Sequence, residues 1–222
     1  SLAQGAKKMA NVKVVVKRLV SVEDFGNMDV LCTDKTGTLT EGKIVLNDCQ
    51  SLGEEKEQRL LTYSMLCNSA AVGEDVVGNP MDTAIWEYAI ENGAQESVKP
   101  YVKVDEVPFD YQRRIMSVVV KKNDESILIS KGAPESIFAR CRQAEISGRI
   151  EPLSAVQKAI DAKFYNLSEL GYRILAVAYR NVEDKTSYSV EDEANLTLFG
   201  LLIFTDPPKR DANQAITKLK EM

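Results

Sequence analysis

The 222-residue chain contains no histidine. Serine–histidine–aspartate and cysteine–histidine catalysis are thereby excluded, because both need an imidazole as the base. Its four cysteines, at 32, 49, 67 and 141, include no C-x-x-C pair and have no histidine to complete a zinc site. Free thiols in a reducing compartment are expected, with neither a metal cage nor a disulfide. No apolar run approaches the roughly 20 residues that cross a bilayer. The basic opening "SLAQGAKKMANVKVVVKR" lacks the apolar centre of a signal peptide, so the chain as it stands is expected to be soluble. Basic residues are not interleaved with aromatics and the net charge is −5, so nucleic acid is not an expected partner. There is no internal repeat and no low-complexity tract.

What is present suits a globular protein. A share of 44% hydrophobic and 27% charged residues can bury a core of one large or two ordinary domains. The charge is uneven, however: residues 1–20 hold Lys7, Lys8, Lys13, Lys17 and Arg18 and no acid. On charge alone this reads as a solvated tail, and a segment just inside an anionic membrane surface would carry the same pattern.

Periodicity predicts an order of elements. "DVLCT" (29–33) reads as a buried, parallel-type strand bounded by "GNMD" and by a Thr/Gly-rich turn. A helix is expected near 54–71, with Leu60, Leu61, Met65 and Leu66 at helical spacing. In "NPMDTAIWEYAIENG", Asn79 can cap a second helix, Pro80 suits its first turn, Asp82 stands where a capping-box acid would, and Gly93 ends it. Strands follow in "VKVDEVPF", "IMSVVVKK" and "SILISKG", the last two joined through "KNDE". A short helix from Pro134 to Cys141, a longer one from about Leu153 to Leu170, and strands at 172–179 and 196–204 complete the pattern before "TDPPKRDANQAITKLKEM" opens a last helix.

The two strand-to-loop junctions, at Asp34 and Asp206, bracket a mixed block. The economical architecture is α/β: a partial Rossmann-like domain (1–46), interrupted by an inserted α+β domain on an antiparallel sheet (47–197) and re-entered at 198–222. Ligands in such parallel sheets gather at the carboxyl ends of strands, where Asp34 falls.

With no histidine, a carboxylate must be the nucleophile if there is one, and Asp34 is the candidate. Attack on a phosphoryl group needs charge neutralisation more than proton transfer. Lys35, the hydroxyls of Thr36 and Thr38, the amides around Gly37 and a divalent cation could supply it. A tight turn in which Asp34 and the threonines bond only their own backbone is the competing reading of D-x-T-G.

"CTDKTGTLT" (32–40) resembles the phosphorylation motif of the P-type ATPases, ion pumps of the haloacid-dehalogenase-like superfamily. The resemblance implies that Asp34 is phosphorylated from ATP, that Lys35 and Thr38 hold the phosphoryl group, and that Asp34 and Thr36 meet Mg²⁺. Soluble phosphatases of that superfamily carry a second aspartate at the position of Thr36. Without it the acyl phosphate should persist. "VPFDYQRRIMSVVV" is similar to the family's nucleotide-pocket stretch, implying that Phe109 stacks on adenine, Arg114 meets phosphate or ribose, and Met116 lines the pocket; Phe109 and Met116 would serve equally as ordinary core. "SKGAPE" resembles the family's lysine motif, with Lys131 beside Gly132 allowing close approach of nucleotide. Asp82 matches an acid at the adenine end or caps its own helix, and Arg173 matches an arginine reaching the phosphates or is an exposed strand charge. "TDPPK" resembles the hinge, with Asp206, Pro207 and Pro208 stiffening the crossing.

The flanking text looks most like bacterial magnesium-transporting members. Calcium or proton pumps, a soluble haloacid-dehalogenase-type phosphatase and a non-catalytic nucleotide-binding module are the alternatives. The resemblance implies ATP and Mg²⁺ as ligands, transmembrane and actuator domains as partners, and a place on the cytoplasmic face of the plasma (inner) membrane, with the basic start continuing a membrane helix. The family's T-G-D and G-D-G-x-N-D segments do not occur in the chain. A cytoplasmic fragment is therefore expected, one that binds nucleotide weakly and phosphorylates itself poorly. Its incomplete sheet would leave an edge for self-association or residues 1–45 mobile.

Overall fold

The structure is a computed structural model, and it describes residues 2–18, 20, 22, 29–53, 58–73 and 75–221. Its centre is an eight-stranded sheet. The strands are β1 (Val45–Ser51), β4 (Val102–Asp110), β5 (Ile115–Lys122), β6 (Glu125–Gly132), β7 (Cys141–Ile146), β8 (Arg149–Pro152), β9 (Arg173–Val182) and β10 (Leu196–Thr205). A separate two-stranded ribbon pairs β2 (Ala71–Val72) with β3 (Val76–Val77). Among the described residues six α-helices accompany them: α1 (Leu2–Asn11), α2 (Gln58–Leu66), α3 (Pro80–Glu91), α4 (Pro134–Phe138), α5 (Leu153–Glu169) and α6 (Ala212–Lys220).

The sheet order is β4-β5-β6-β9-β10-β7-β8, with β1 also pairing β10. Every pairing is antiparallel except β10 with β7. Both faces are covered, which is why β10 reads as the unbroken apolar run "LTLFGLLIF". Met116, Val118 and Val120 of β5 face α2 and α3 in one cluster, while Ile115 and Val119 face α4 and α5 in the other. Where backbones crowd, glycine is required. A Cβ on Gly200 would lie 2.6 Å from both the Gln50 carbonyl oxygen and Leu60 Cδ2.

The helix opened by Pro80 forms as its caps predict: Asn79 Oδ1 accepts from the amides of Met81 and Asp82, both at 3.1 Å, and Gly93 follows the helix at φ 65°. Several expectations are corrected. The strand at 29–33 does not form. Val30 and Leu31 are 76% and 53% exposed, and among the described residues no strand pairs with them. A parallel-type strand cannot stand without neighbours to take its backbone groups. The helix expected at 54–71 is described over Gln58–Leu66; its first residues, 54–57, and the "GNM" at 26–28 lie outside the described residues. It stops because Asn68 turns its own carboxamide oxygen onto the Ala70 amide at 2.8 Å. The helix expected to reach Cys141 ends at Phe138, and Cys141 opens β7 instead. Residue 47 lies within β1 and Thr197 within β10; β1 pairs with the 200–205 part of β10, from Val45–Thr205 to Ser51–Gly200, while Thr197 pairs with Gln143 of β7 and Tyr179 of β9.

Candidate functional site

A cleft of about 570 Å³ lies between α3 and the β4–β5 turn, within the range of ligand pockets. Asp82, Phe109, Arg114, Met116, Lys131 and Gly132 all line it. Four elements and a turn bring these residues together. Asp82 comes from the first turn of α3, Phe109 from the end of β4, Met116 from β5, and Lys131 with Gly132 from β6, opposite Met116 and Ile115. Arg114 ends the 110–114 turn at φ 55°, its side chain on Glu135 at 2.8 Å.

Two wall residues are paired with one another. Lys131 is not a free cation: its Nζ donates to Asp82 Oδ1 at 2.6 Å, with both side chains 3% exposed. Asp82 meets the cap through the Asn79 side chain, not through the cap's backbone amide as a capping-box acid would. Its Oδ2 accepts from the Ser69 amide (2.9 Å), the Ser69 hydroxyl (2.6 Å) and Asn79 Nδ2 (2.8 Å). Burial pushes this carboxyl up, but the Lys131 ammonium and the Ser69 bonds outweigh it and hold it below the usual carboxylate value. Burial raises the thiol of Cys67, whose Sγ donates to the Met116 carbonyl at 3.5 Å, to about 12, so it stays protonated. The space left by the missing Cβ of Gly132 is taken by the protein itself, since a methyl there would lie 2.2 Å from the Arg114 carbonyl oxygen.

Phe109 is 51% exposed and stands edge to face with Tyr111, ring centroids 5.3 Å apart. Tyr111, Pro108, Ser69 and Asn79 also line the cleft and were not assigned to it from sequence, where Asn79 was read only as a helix cap. The first two sit inside the quoted "VPFDYQRR" stretch; nothing local marks Ser69, which matters only because α3 brings Asp82 to it.

Arg173 is outside the cleft. It opens β9 two residues before Leu175, which does line it, and residues two apart on a strand share a face. Its Nη2 donates to Thr36 Oγ1 at 3.5 Å. The Asp34 loop is thus on the same side of the molecule as the cleft. Asp34, Lys35, Thr36 and Thr38 are all exposed. The turn closes on the Lys35 carbonyl, which accepts from the amides of Leu39 (3.0 Å) and Thr40 (3.2 Å).

Thr40, which no sequence argument had marked, joins this loop to the second crossing. Its Oγ1 accepts from the Gly37 amide (3.0 Å) and donates to Asp206 Oδ2 (2.7 Å). The Glu41 amide donates to the Pro207 carbonyl (2.9 Å), the Lys209 amide to the Leu39 carbonyl (2.9 Å), and Lys209 Nζ to the Gly37 carbonyl (2.9 Å). Pro208 bridges antiparallel to Thr40. Asp206, Pro207 and Pro208 therefore form one side of a two-stranded crossing, with the Asp34 loop on the other. Among the described residues no group of three or more His, Cys, Asp or Glu could hold a metal ion. No described helix is long and apolar enough to cross a membrane.

Residues 56–211 match the family model described as P-type ATPase, cytoplasmic domain N. The chain is 39% identical to the magnesium-transporting ATPase, P-type 1, of Escherichia coli K12 over 223 residues, covering 99% of this chain and 24% of the relative. It is 37% identical to the same-named protein of Salmonella typhimurium LT2 over 227 residues, covering 100% of this chain and 25% of that one. To a calcium-transporting ATPase of Listeria monocytogenes it is 30% identical over 242 residues, 99% of this chain and 27% of the relative. The chain thus spans about a quarter of the length of the curated relatives it matches.

Proposed function

The chain belongs to the P-type cation ATPases and carries their cytoplasmic domain N, and from that premise we propose that the cleft binds the adenine end of ATP while Arg173 and the Asp34 loop receive its phosphates. The observation that carries this reading is the convergence of Asp82, Phe109, Arg114, Met116, Lys131 and Gly132 on one mostly apolar cleft with a half-exposed aromatic ring at its mouth. Phe109 offers the stacking face. Stacking of a base on an aromatic contributes about 1–3 kcal/mol. Asp82 and Lys131 are already paired, so they shape the polar wall together instead of each meeting the nucleotide as a free charge.

Transfer follows the chemistry of an exposed carboxylate. An Asp34 oxygen attacks the γ-phosphorus, the bond to the β–γ bridging oxygen breaks, and ADP leaves with that electron pair. Lys35, Thr36, Thr38 and the amides about Gly37 neutralise the phosphoryl oxygens. Hard oxygen donors suit Mg²⁺, and the Asp34 carboxylate and Thr36 carbonyl would supply two of its six ligands, the others coming from phosphate and water; when bound it would offset charge on the transferred group. Thr36 provides no acid or base for hydrolysis, so the acyl phosphate persists.

The domain N sheet lies between the two crossings at Thr40 and Pro208. In our reading the residues beyond them belong to a haloacid-dehalogenase-like phosphorylation domain, and the whole protein is a pump at the cytoplasmic face of the inner membrane that moves Mg²⁺. The ion assignment is supported by the higher identity to magnesium than to calcium transporters, 39% against 30%. Transmembrane and actuator domains would be its partners within one chain.

The test is a calorimetric titration of Mg-ATP into the protein and its Phe109→Ala variant. The dissociation constant is expected near the millimolar scale, about −4 kcal/mol, and should weaken about tenfold or more without the ring. Affinity indifferent to Phe109 would remove the adenine from this cleft.

A further inference from the structure

On the other face of β5, a buried carboxylate sits under the turn that forms the cleft's rim. Glu193 projects from the loop between β9 and β10, and its side chain is 0% exposed. Its Oε1 accepts from Ser117 Oγ at 2.6 Å and from Arg113 Nη1. The Arg113 side chain is itself only 8% exposed. Its other terminal nitrogen, Nη2, donates to the Pro108 carbonyl at 2.6 Å. One guanidinium fork thus runs from Glu193 to the carbonyl immediately before Phe109. The turn is closed at its start by Asp110, whose Oδ1 accepts from the amides of Gln112 (3.1 Å) and Arg113 (2.8 Å).

The loop that holds Glu193 is anchored independently of the cleft. The Tyr188 amide donates to Asp105 Oδ2 of β4 at 2.8 Å. Glu193 Oε2 has no hydrogen-bond partner among the described residues, and Arg140 Nε stands 3.8 Å from it. This is an expensive arrangement for stability alone, because a well-packed apolar pair of similar volume does as well as or better than a buried ion pair. What an apolar pair cannot supply is a rigid fork of directed donors. Here those donors set the orientation of the Pro108 carbonyl, and the Phe109 ring follows from the next residue.

We infer that Glu193 is a positioning residue for the cleft: through Arg113 it holds the Pro108–Arg114 turn and so the ring on which the base stacks. The inference rests on the reading of the cleft as the ATP site. It deepens that reading by assigning a role to a carboxylate on the opposite face of the sheet, outside every stretch whose residues were assigned to the site.

The experiment titrates ATP into the wild type, Glu193→Gln and the double variant Arg113→Met with Glu193→Met. Melting temperature and the near-ultraviolet circular dichroism of the Phe109–Tyr111 pair are recorded beside each titration. In Glu193→Gln the Arg113 cation loses its charge partner, and ATP binding weakens about tenfold with a changed near-ultraviolet spectrum. The double variant regains the melting temperature and keeps the weakened affinity, which a purely structural role would not produce. Should Glu193→Gln fail to fold, the double variant decides by itself. ATP binding at wild-type strength in either folded variant overturns the positioning role while leaving the cleft as the ATP site. Absence of saturable ATP binding by the folded wild type overturns the site and the positioning role with it.

Discussion

Asp82 and Lys131 form the most consequential pair in the cleft, because neither can leave without stranding the other. Both side chains are 3% exposed, and removing one partner of a buried pair costs about 3–5 kcal/mol. Lys131→Met should therefore lower the urea midpoint substantially, and adding Asp82→Leu to it should recover much of the loss; a single variant as stable as wild type would show that the pair is solvated. The same pair makes stability depend on acid. Asp82 titrates below its ordinary value of 3.8 in the folded protein. A depressed folded value means that its contribution is whole above the unfolded value and is lost as the pH falls through the folded one. Denaturation followed from pH 5 to pH 2 should show that loss below about pH 4, and Asp82→Asn should flatten it. At this scale the site's residue types were legible, because aspartate, lysine and an aromatic stand in recognisable strings. Their pairing was not, since nothing local to "NPMD" or "SKGAPE" says that the two charges satisfy one another.

At the scale of elements, the strands that alternate or run apolar were readable, and so was α3 with its Asn79 cap and Pro80 start. β1, β7 and β8 were not: "VLNDCQS" and "CRQAEI" carry polar residues that break the apolar pattern, and their strand form rests on backbone pairing with β10 and β8. Glycine shows how tightly the elements are apposed. Gly132 pairs with Ile115, and its missing Cβ leaves room for the Arg114 carbonyl. Gly132→Ala must push the β5 turn away from β6, at about 1–3 kcal/mol. Both the melting temperature and ATP affinity should fall, since Arg114 and Phe109 move with that turn. A variant that melts earlier and binds ATP unchanged would separate the strand contact from the cleft.

For the whole molecule, what matters is that the chain enters and leaves the sheet side by side. Thr40 and Asp206 join the two crossings at 2.7 Å, and Asp206 Oδ1 is buried with no hydrogen-bond partner among the described residues. Thr40→Val should loosen the crossing alone. Hydrogen exchange is expected to quicken at residues 35–41 and 205–209, with the sheet's protection and ATP affinity retained; protection unchanged at the crossing would mean that the backbone pairing suffices. The sequence by itself determined the chemistry available: a carboxylate nucleophile without histidine, an aromatic for stacking, and apolar runs that demand burial on both faces, because these follow from residue type and short-range spacing. Only the tertiary structure decided which charges neutralise one another, that residues 29–33 stand as exposed coil, and that Glu193 underlies the rim, because each depends on partners that chain folding, not sequence distance, brings within hydrogen-bond reach.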